Sequence, residues 1–423
     1  MHPNKTYNMT LKKNLAFISV FMLIATSGIP FFQGQLPLIL ISLMLTGLTF
    51  LMHTNRQVDR RFLFFVVLVL LLQIFQGATG GQYFWSTYFG LIIRFIWGYL
   101  VIRVTKINFL KLYVKILYFF SYISIFFYLA MVLIPNSQAI FEKLSSPFAF
   151  FPFTPTVENA QTFHIIIYNF HGYRYLTQSN ESLQMIRNCG PFWEPGAFVG
   201  FLIMALFFLY ISEGTIKNKK GLIFIIAMIT TYSTTGYLAL MLSLYVLLKA
   251  EFNRYKVIVI PLLAAVSLFA FFNVAFLNNK IKDQSARDSD KSRFGSAARD
   301  LAFFIESPLF GQGRNAESAY GQATSGDATT NNGLTSTLAG MGLLYMIAFS
   351  WMMIYSLKRL SKFYQRRSVV PLYFIFLLIS FSETYYTIPF FMSLAFLYVI
   401  TDYKARSAVK TGLNIPPVKV SYT

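Results

Sequence analysis

Hydrophobic runs of about 15–25 residues recur from end to end of this chain, and no other feature constrains its fold so strongly. A run of that length crosses the hydrocarbon core of a bilayer as an α-helix. Lipid offers the backbone no hydrogen bonds, so a bundle of such helices is the architecture that leaves none unmade. Charge content agrees: only 12% of the 423 residues are charged, about half the share usual in a soluble domain. The chain reads as an all-α integral membrane protein, a single polytopic domain over residues 1–423.

Twelve transmembrane helices are expected, at about 14–32, 36–52, 62–78, 84–102, 112–134, 195–212, 221–234, 236–249, 257–276, 333–357, 369–383 and 388–402. Basic clusters then fall at every second boundary. They are Lys5/Lys12/Lys13, Arg56/Arg60/Arg61, Arg103/Lys106/Lys111/Lys115, Lys217/Lys219/Lys220, Lys249/Arg254/Lys256, Lys358/Arg359/Lys362/Arg366/Arg367 and Lys404/Arg406/Lys410/Lys419. The positive-inside rule assigns these boundaries and both termini to the cytoplasm. That side collects 25 of the 36 Lys and Arg but 4 of the 16 Asp and Glu. The formal net charge of +20 is therefore an orientation signal and an attraction to anionic lipid, not a nucleic-acid footprint.

Two helix pairs depend on this orientation. A single helix over 221–249 would throw the Lys358–Arg367 cluster outside, so the run is split at Ser233-Thr234-Thr235-Gly236, where hydroxyls satisfy backbone groups. The run 369–402 is split in the same way between Glu383 and Pro389. The first apolar run follows Lys5, Lys12 and Lys13 but leads to no small-x-small site before a hydrophilic domain, so it reads as a retained helix. The lone Cys189 excludes an intramolecular disulfide.

Two long loops, about 135–193 and 278–332, fall on the extracytoplasmic side, and a cytoplasmic tail covers about 403–423. The cytoplasmic loops are short and hold no glycine-rich phosphate loop, which excludes a nucleotide-driven engine. No internal repeat supports an inverted-repeat transporter. Within the first long loop, the aromatic stretch Pro147–Phe153 reads as interfacial. That loop ends in Arg187-Asn188-Cys189-Gly190-Pro191-Phe192-Trp193-Glu194-Pro195-Gly196, a cation, a carboxylate and chain-bending residues at the mouth of a helix.

Charge at a membrane boundary is costly and marks function. Arginine forks suit a diphosphate and its departure as a leaving group, and a partly desolvated carboxylate or histidine suits a base for an attacking hydroxyl. Candidates on the outer side are Arg187, Arg293, Arg299 and Arg314 together with Glu194, Glu383, His164 and His171. Glu194 before Pro195 also suits the start of a helix, as a cap. Arg293 and Arg299 are six residues apart on an amphipathic segment, so their faces differ by about 120° and one phosphate does not take both. Arg299 is left to pair with Asp300 or Glu306. Arg94, in the middle of the fourth helix, should face the interior, reaching a diphosphate from below or pairing with Glu383. No Asp/His set has metal-ligand spacing, so no divalent cation is expected.

Four stretches carry a family resemblance. They are Arg187-Asn188-x-Gly190-x-Phe192-x-Glu194-Pro195-Gly196-Ala197-Phe198, then Ser233-Thr234-Thr235-Gly236-Tyr237, then Arg293 with Ser307-Pro308-Leu309-Phe310-Gly311-Gln312-Gly313, and Asn331-Asn332-Gly333-Leu334 leading to Gly340-Met341-Gly342. In this order they resemble bacterial polysaccharide polymerases of the O-antigen polymerase (Wzy) type, within the O-antigen polymerase/ligase superfamily, across most of residues 185–400. The resemblance implies a GT-C-like membrane glycosyltransferase in the bacterial cytoplasmic (inner) membrane. It would polymerise undecaprenyl-diphosphate-linked oligosaccharide units on the outer face, with inversion, and without nucleotide sugar or cofactor. Implied partners are the polyprenyl-diphosphate-linked oligosaccharide, membrane lipids, and a flippase and chain-length regulator of the same pathway.

By the same resemblance Arg187 and Arg293 engage the diphosphate. The related ligases use a histidine in the second long loop, but none follows His171 here, which moves the base role to Glu194. Arg94, Arg299, Arg314, His171 and Glu383 are then expected to contact substrate. The alternatives are ligase-type transfer of glycan to a second acceptor and a flippase of lipid-linked sugar.

Overall fold

The computed structural model describes residues 3–33, 35–52, 57–79, 85–148, 160–176, 182–248, 293–314, 318–324, 332–366 and 369–401. The first five helices are α1 (Pro3–Gly28), α2 (Leu36–Leu51), α3 (Arg60–Thr79), α4 (Trp85–Thr105) and α5 (Asn108–Leu133), followed by the short α6 (Ser137–Ser145). Next come α7 (Pro195–Glu213), α8 (Lys219–Thr230) and α9 (Thr234–Leu248). The later part holds α10 (Arg293–Glu306), α11 (Ala319–Ala323), α12 (Gly333–Phe363), α13 (Pro371–Ser380) and α14 (Pro389–Ser393). Among the described residues α1, α3, α4, α5, α7 and α12 are long and apolar enough to cross a membrane, and α2, α9 and α13 are shorter apolar helices. The helix expected at 257–276, most of the aromatic stretch Pro147–Phe153 and the tail at 403–423 lie outside the described residues.

The all-α expectation needs one correction. The first long loop carries a three-stranded antiparallel sheet in the order β1 (Ala160–Ile165), β2 (Tyr168–Leu176), β3 (Ser182–Asn188). Its strands draw on Phe163, Ile165, Tyr168, Phe170, Tyr173 and Tyr175, the aromatic and β-branched types that suit a pleated surface. Ile166 at φ 59° makes the tight turn between β1 and β2. The sheet is tied to the motif that follows it: Asn169 donates its backbone N–H to Gly190 O at 2.8 Å and its side-chain amide to Phe192 O at 2.8 Å.

α7 is the centre of the bundle. It is apolar all round, as a helix enclosed by protein must be, and nearly every side chain from Pro195 to Ile211 is buried. It packs on α5, α8 and α9. The abundant phenylalanine is partly explained here: Phe192 stacks on Phe201 with centroids 4.1 Å apart, and Phe390 stacks on Tyr113 at 4.5 Å. Tyr113 spends its hydroxyl on Phe201 O at 2.9 Å, so an otherwise costly buried O–H is paired.

Both expected breaks are present, but the continuous helix expected at 388–402 is replaced by the short α14 followed by a 3-10 turn at Leu394–Phe396. α8 ends at Thr230 and α9 begins at Thr234, with Tyr232 between them in the left-handed region at φ 47°. Hydroxyls do the backbone work, as expected: Thr231 Oγ1 donates to Met228 O at 2.7 Å, and Ser233 Oγ accepts from Gly236 N at 3.2 Å. The second break runs from Phe381 to Ile388, between α13 and α14. A third interruption was not anticipated. α12 loses its helical conformation at Gly342, φ 76° and ψ 173°.

The segment 308–313 fills that interruption. Gln312 N donates to Ala339 O at 2.8 Å, Gly313 N to Gly340 O at 3.0 Å and Leu343 N to Pro308 O at 2.9 Å. Gln76 on α3 adds side-chain bonds to Gly340 O, at 3.1 Å, and to Phe310 O. Gly311 and Gly342 meet backbone to backbone, both at positive φ, with no room for a β-carbon on either. Two separate stretches of the sequence motif set are thus one structural unit.

Candidate functional site

The site is built where the last strand, the entry of α7 and the two helix breaks converge. Arg187 lies near the end of β3, opposite His171 on β2. Its Nε donates to Thr231 O at 3.2 Å, so the first break is pinned by the strand. Asn188, fully buried, donates to Ser124 Oγ at 3.2 Å and Thr230 Oγ1 at 3.0 Å while accepting from Gly190 N at 2.9 Å. Gly190 then turns the chain at φ 57° under the ring of Phe198. The Asn188 bonds to α5 and α8 and the packing of Gly190 on Phe198 of α7 thereby fix the backbone beside Arg187.

Glu194 occupies the N-cap position of α7 in an extended conformation, and Pro195 supplies the first helical residue. The expected side-chain cap is absent: the Glu194 carboxylate makes no capping bond, and only its carbonyl starts the helix by accepting from Phe198 N at 3.1 Å. The side chain is half-buried. Glu383, in the second break, is buried and places its carboxylate on Gly196 in the first turn of α7. Its carbonyl packs as closely on Gly333, where α12 begins. Tyr385 donates its hydroxyl to Gly196 O at 2.9 Å, and Thr235 Oγ1 lies 2.6 Å from Ser382 Oγ, so the two breaks are joined directly.

Electrostatics confirm that these groups share one neighbourhood. Burial, then the Arg187 guanidinium, push the His171 imidazole down to about 4, against a smaller opposing pull from Glu194. His171 is therefore neutral at pH 7, and its Nε2 has no hydrogen-bond partner among the described residues. Burial pushes the Cys189 thiol up, and Arg187, Glu194 and Glu383 all act on it from within range. A buried thiol with a raised pKa is a packing group, not a nucleophile. His164, by contrast, is held in the sheet by Asn169, Nδ1 to Oδ1 2.8 Å.

A second group of cations gathers beside the second break. Arg94 donates to Thr387 O at 3.0 Å, not to Glu383. Arg314 packs its stem on Gly340, and its guanidinium is close enough to Arg94 to feel its charge, although burial is the larger cause lowering its pKa. The Arg314 side chain nonetheless stays accessible to water.

Arg299 does not pair with Asp300 or Glu306. Asp300 accepts from Tyr320 Oη at 3.0 Å and Thr335 Oγ1 at 2.7 Å, and Glu306 accepts from Gln312 Nε2 at 3.0 Å. The Arg299 Nε and Nη2 are buried and have no hydrogen-bond partner among the described residues. Arg293 opens α10; its side chain lies outside the described residues, but the ring of Phe294 meets Phe381 at 5.9 Å, which brings the start of α10 to the second break.

Arg187, His171, Glu194 and Glu383 are thus brought together. Sequence reasoning missed Tyr385, whose hydroxyl anchors the second break to α7, and Gln76. The two amides Gln73 and Gln76, one turn apart in the apolar run of α3, were the available signal for the latter.

No curated protein and no solved structure matches the chain. Residues 221–350 match the family model Wzy_C, described as O-antigen ligase. The match takes in α8, α9, α10, α11 and the kinked first part of α12, and so Arg293, Arg299 and Arg314, while Arg94, Arg187, Glu194 and Glu383 lie outside it. Over residues 221–350 this helical protein, with several helices long and apolar enough to cross a membrane, is thus similar to the O-antigen ligase family, a match consistent with the O-antigen polymerase/ligase superfamily.

Proposed function

We propose that the protein polymerises undecaprenyl-diphosphate-linked oligosaccharide repeat units on the outer face of the bacterial cytoplasmic membrane. The observation that carries this reading is the convergence of Arg187, Glu194 and Glu383 at the entry of α7, beside a domain matching the O-antigen ligase family. A twelve-span topology with both termini cytoplasmic, supported by the run of basic clusters, has that convergence on the outer side. An acceptor hydroxyl loses its proton to Glu194, and its oxygen attacks the anomeric carbon of the donor sugar. The bond from that carbon to the diphosphate oxygen breaks with inversion. Arg187 and Arg293 stabilise the departing carrier diphosphate, while Arg94, Arg299 and Arg314 form the cationic wall beside it. His171, neutral next to Arg187, serves as a hydrogen-bonding contact and not as the base.

Reconstitution with a synthetic polyprenyl-diphosphate oligosaccharide tests the assignment. A ladder of products with release of carrier diphosphate is the expected result. A single transfer onto a second lipid makes the protein a ligase, the activity named by the matching family. Glycan moved between leaflets without reaction overturns both enzyme readings.

A further inference from the structure

α10 is inside out for a helix in an aqueous loop. Phe294, Ala298, Leu301 and Ile305 follow the i, i+4, i+7, i+11 spacing and share one face. That face points outward: Phe294 is 74% and Ile305 75% exposed, and Leu301 and the following Leu309 are exposed with them. The opposite face is polar and buried. Ser296 and Asp300 are fully enclosed, with Asp300 sewn to Tyr320 and to Thr335 at the start of α12, and Arg299 sends its Nε and Nη2 inward. In water such a stripe would be an association hazard; against hydrocarbon it is the favourable arrangement.

The surroundings identify the occupant. On one side the stripe runs through Phe310, whose ring lies 4.0 Å from Phe75 on α3. The outward row of that membrane-crossing helix, Phe64, Val67, Leu71 and Phe75, is exposed. On the other side Phe294 meets Phe381 at the C-terminal end of α13, a helix that also exposes Phe374 in its first turn. The apolar face of α10 is thus one stretch of a continuous apolar surface.

We propose that α10 lies at membrane depth with this stripe against the acyl chains of the bilayer, and is not part of a solvated external loop. It is then a wall one helix thick, with hydrocarbon on one face and the Arg299 side of the site on the other. The placement holds whichever glycan is transferred, and its failure leaves the reaction assignment untouched.

Spin labels on Leu301→Cys and Ile305→Cys, made separately and studied in proteoliposomes, test it. Phe64→Cys on α3 provides the lipid reference, and the native Cys189 is buried, so unsubstituted protein sets the background. Oxygen collisions should exceed those of a water-soluble nickel chelate several-fold at both positions, as at the reference. Preference for nickel at both positions would put the helix in water and overturn the proposal. Exclusion of both reagents would show a protein cover and overturn it equally. If one variant fails to fold, the other carries the same test.

Discussion

Glu383 rests its carboxylate on the α-carbon of Gly196, leaving no space there for a β-carbon. Gly196→Ala should therefore push Glu383 off the α7 entry and reduce chain growth more than its stability cost of about 1–3 kcal/mol accounts for. Shortening the neighbour should relieve the crowding, so Glu383→Ala should cost less stability in the Gly196→Ala background than alone. A double-mutant cycle on thermal stability reads this out. Additive effects would mean the two residues do not press on one another.

Arg187 makes a backbone bond to Thr231 and also faces the site. Arg187→Ala should lose about 10²–10³-fold in turnover if its charge meets the leaving group, with membrane insertion retained. Arg187→Lys should recover little, because a point charge does not reproduce a fork. Initial rates with a lipid-linked oligosaccharide decide it, and intact chain growth in the alanine variant would remove Arg187 from the reaction.

His171 gives a pH dependence with a definite sign. Its folded pKa of about 4 lies below the free value of 6.5. Between these values the unfolded chain binds a proton that the folded one refuses, so stability falls as pH drops from about 6.5 toward 4 and is fully present above that window. The contribution is at most about 3 kcal/mol. Thermal unfolding of the detergent-solubilised protein across this range should show the loss, and His171→Gln should flatten it.

The kink of α12 should be intolerant of change. Gly342→Ala meets a strained φ of 76° and the backbone of Phe310 and Gly311 at once, and the folded protein should scarcely accumulate. Gln76→Leu removes the amide that bonds Gly340 O and Phe310 O, and should cost about 1–3 kcal/mol. Monodisperse yield and melting temperature after extraction should rank native, Gln76→Leu and Gly342→Ala in that order.

Metal removal supplies a further check on the mechanism. Leaving-group charge is assigned to arginines, so chelation with EDTA should leave chain growth unchanged. Loss of activity restored by magnesium or manganese would require a cation that the proposed reaction does not use.

The breaks were legible because charge bookkeeping is global: one helix too few at 221–249 would have inverted every later loop. The sheet at Ala160–Asn188 was not, since its aromatic residues fit an interfacial segment as well as they fit strands, and Ile166 gives no glycine or proline signal at the turn. Glu194 was legible as the start of α7 but not as a residue that leaves the cap unmade. The meeting of Gly311 with Gly342 was beyond reach, because the two motifs are separated in sequence and their contact is between backbones. Asp300 drew no attention as a partner of hydroxyls, since an adjacent arginine offers the simpler pairing on paper.

The enclosure of α7 has a consequence for the protein in membranes of different thickness. A span surrounded by other helices cannot tilt into lipid to match a thicker or thinner bilayer, because every tilt strikes packed side chains. Adjustment falls to helices with exposed apolar rows, such as α3 and α5. The α7 entry, with Glu194 and Gly196, then keeps its height while the rim of the bundle follows the membrane.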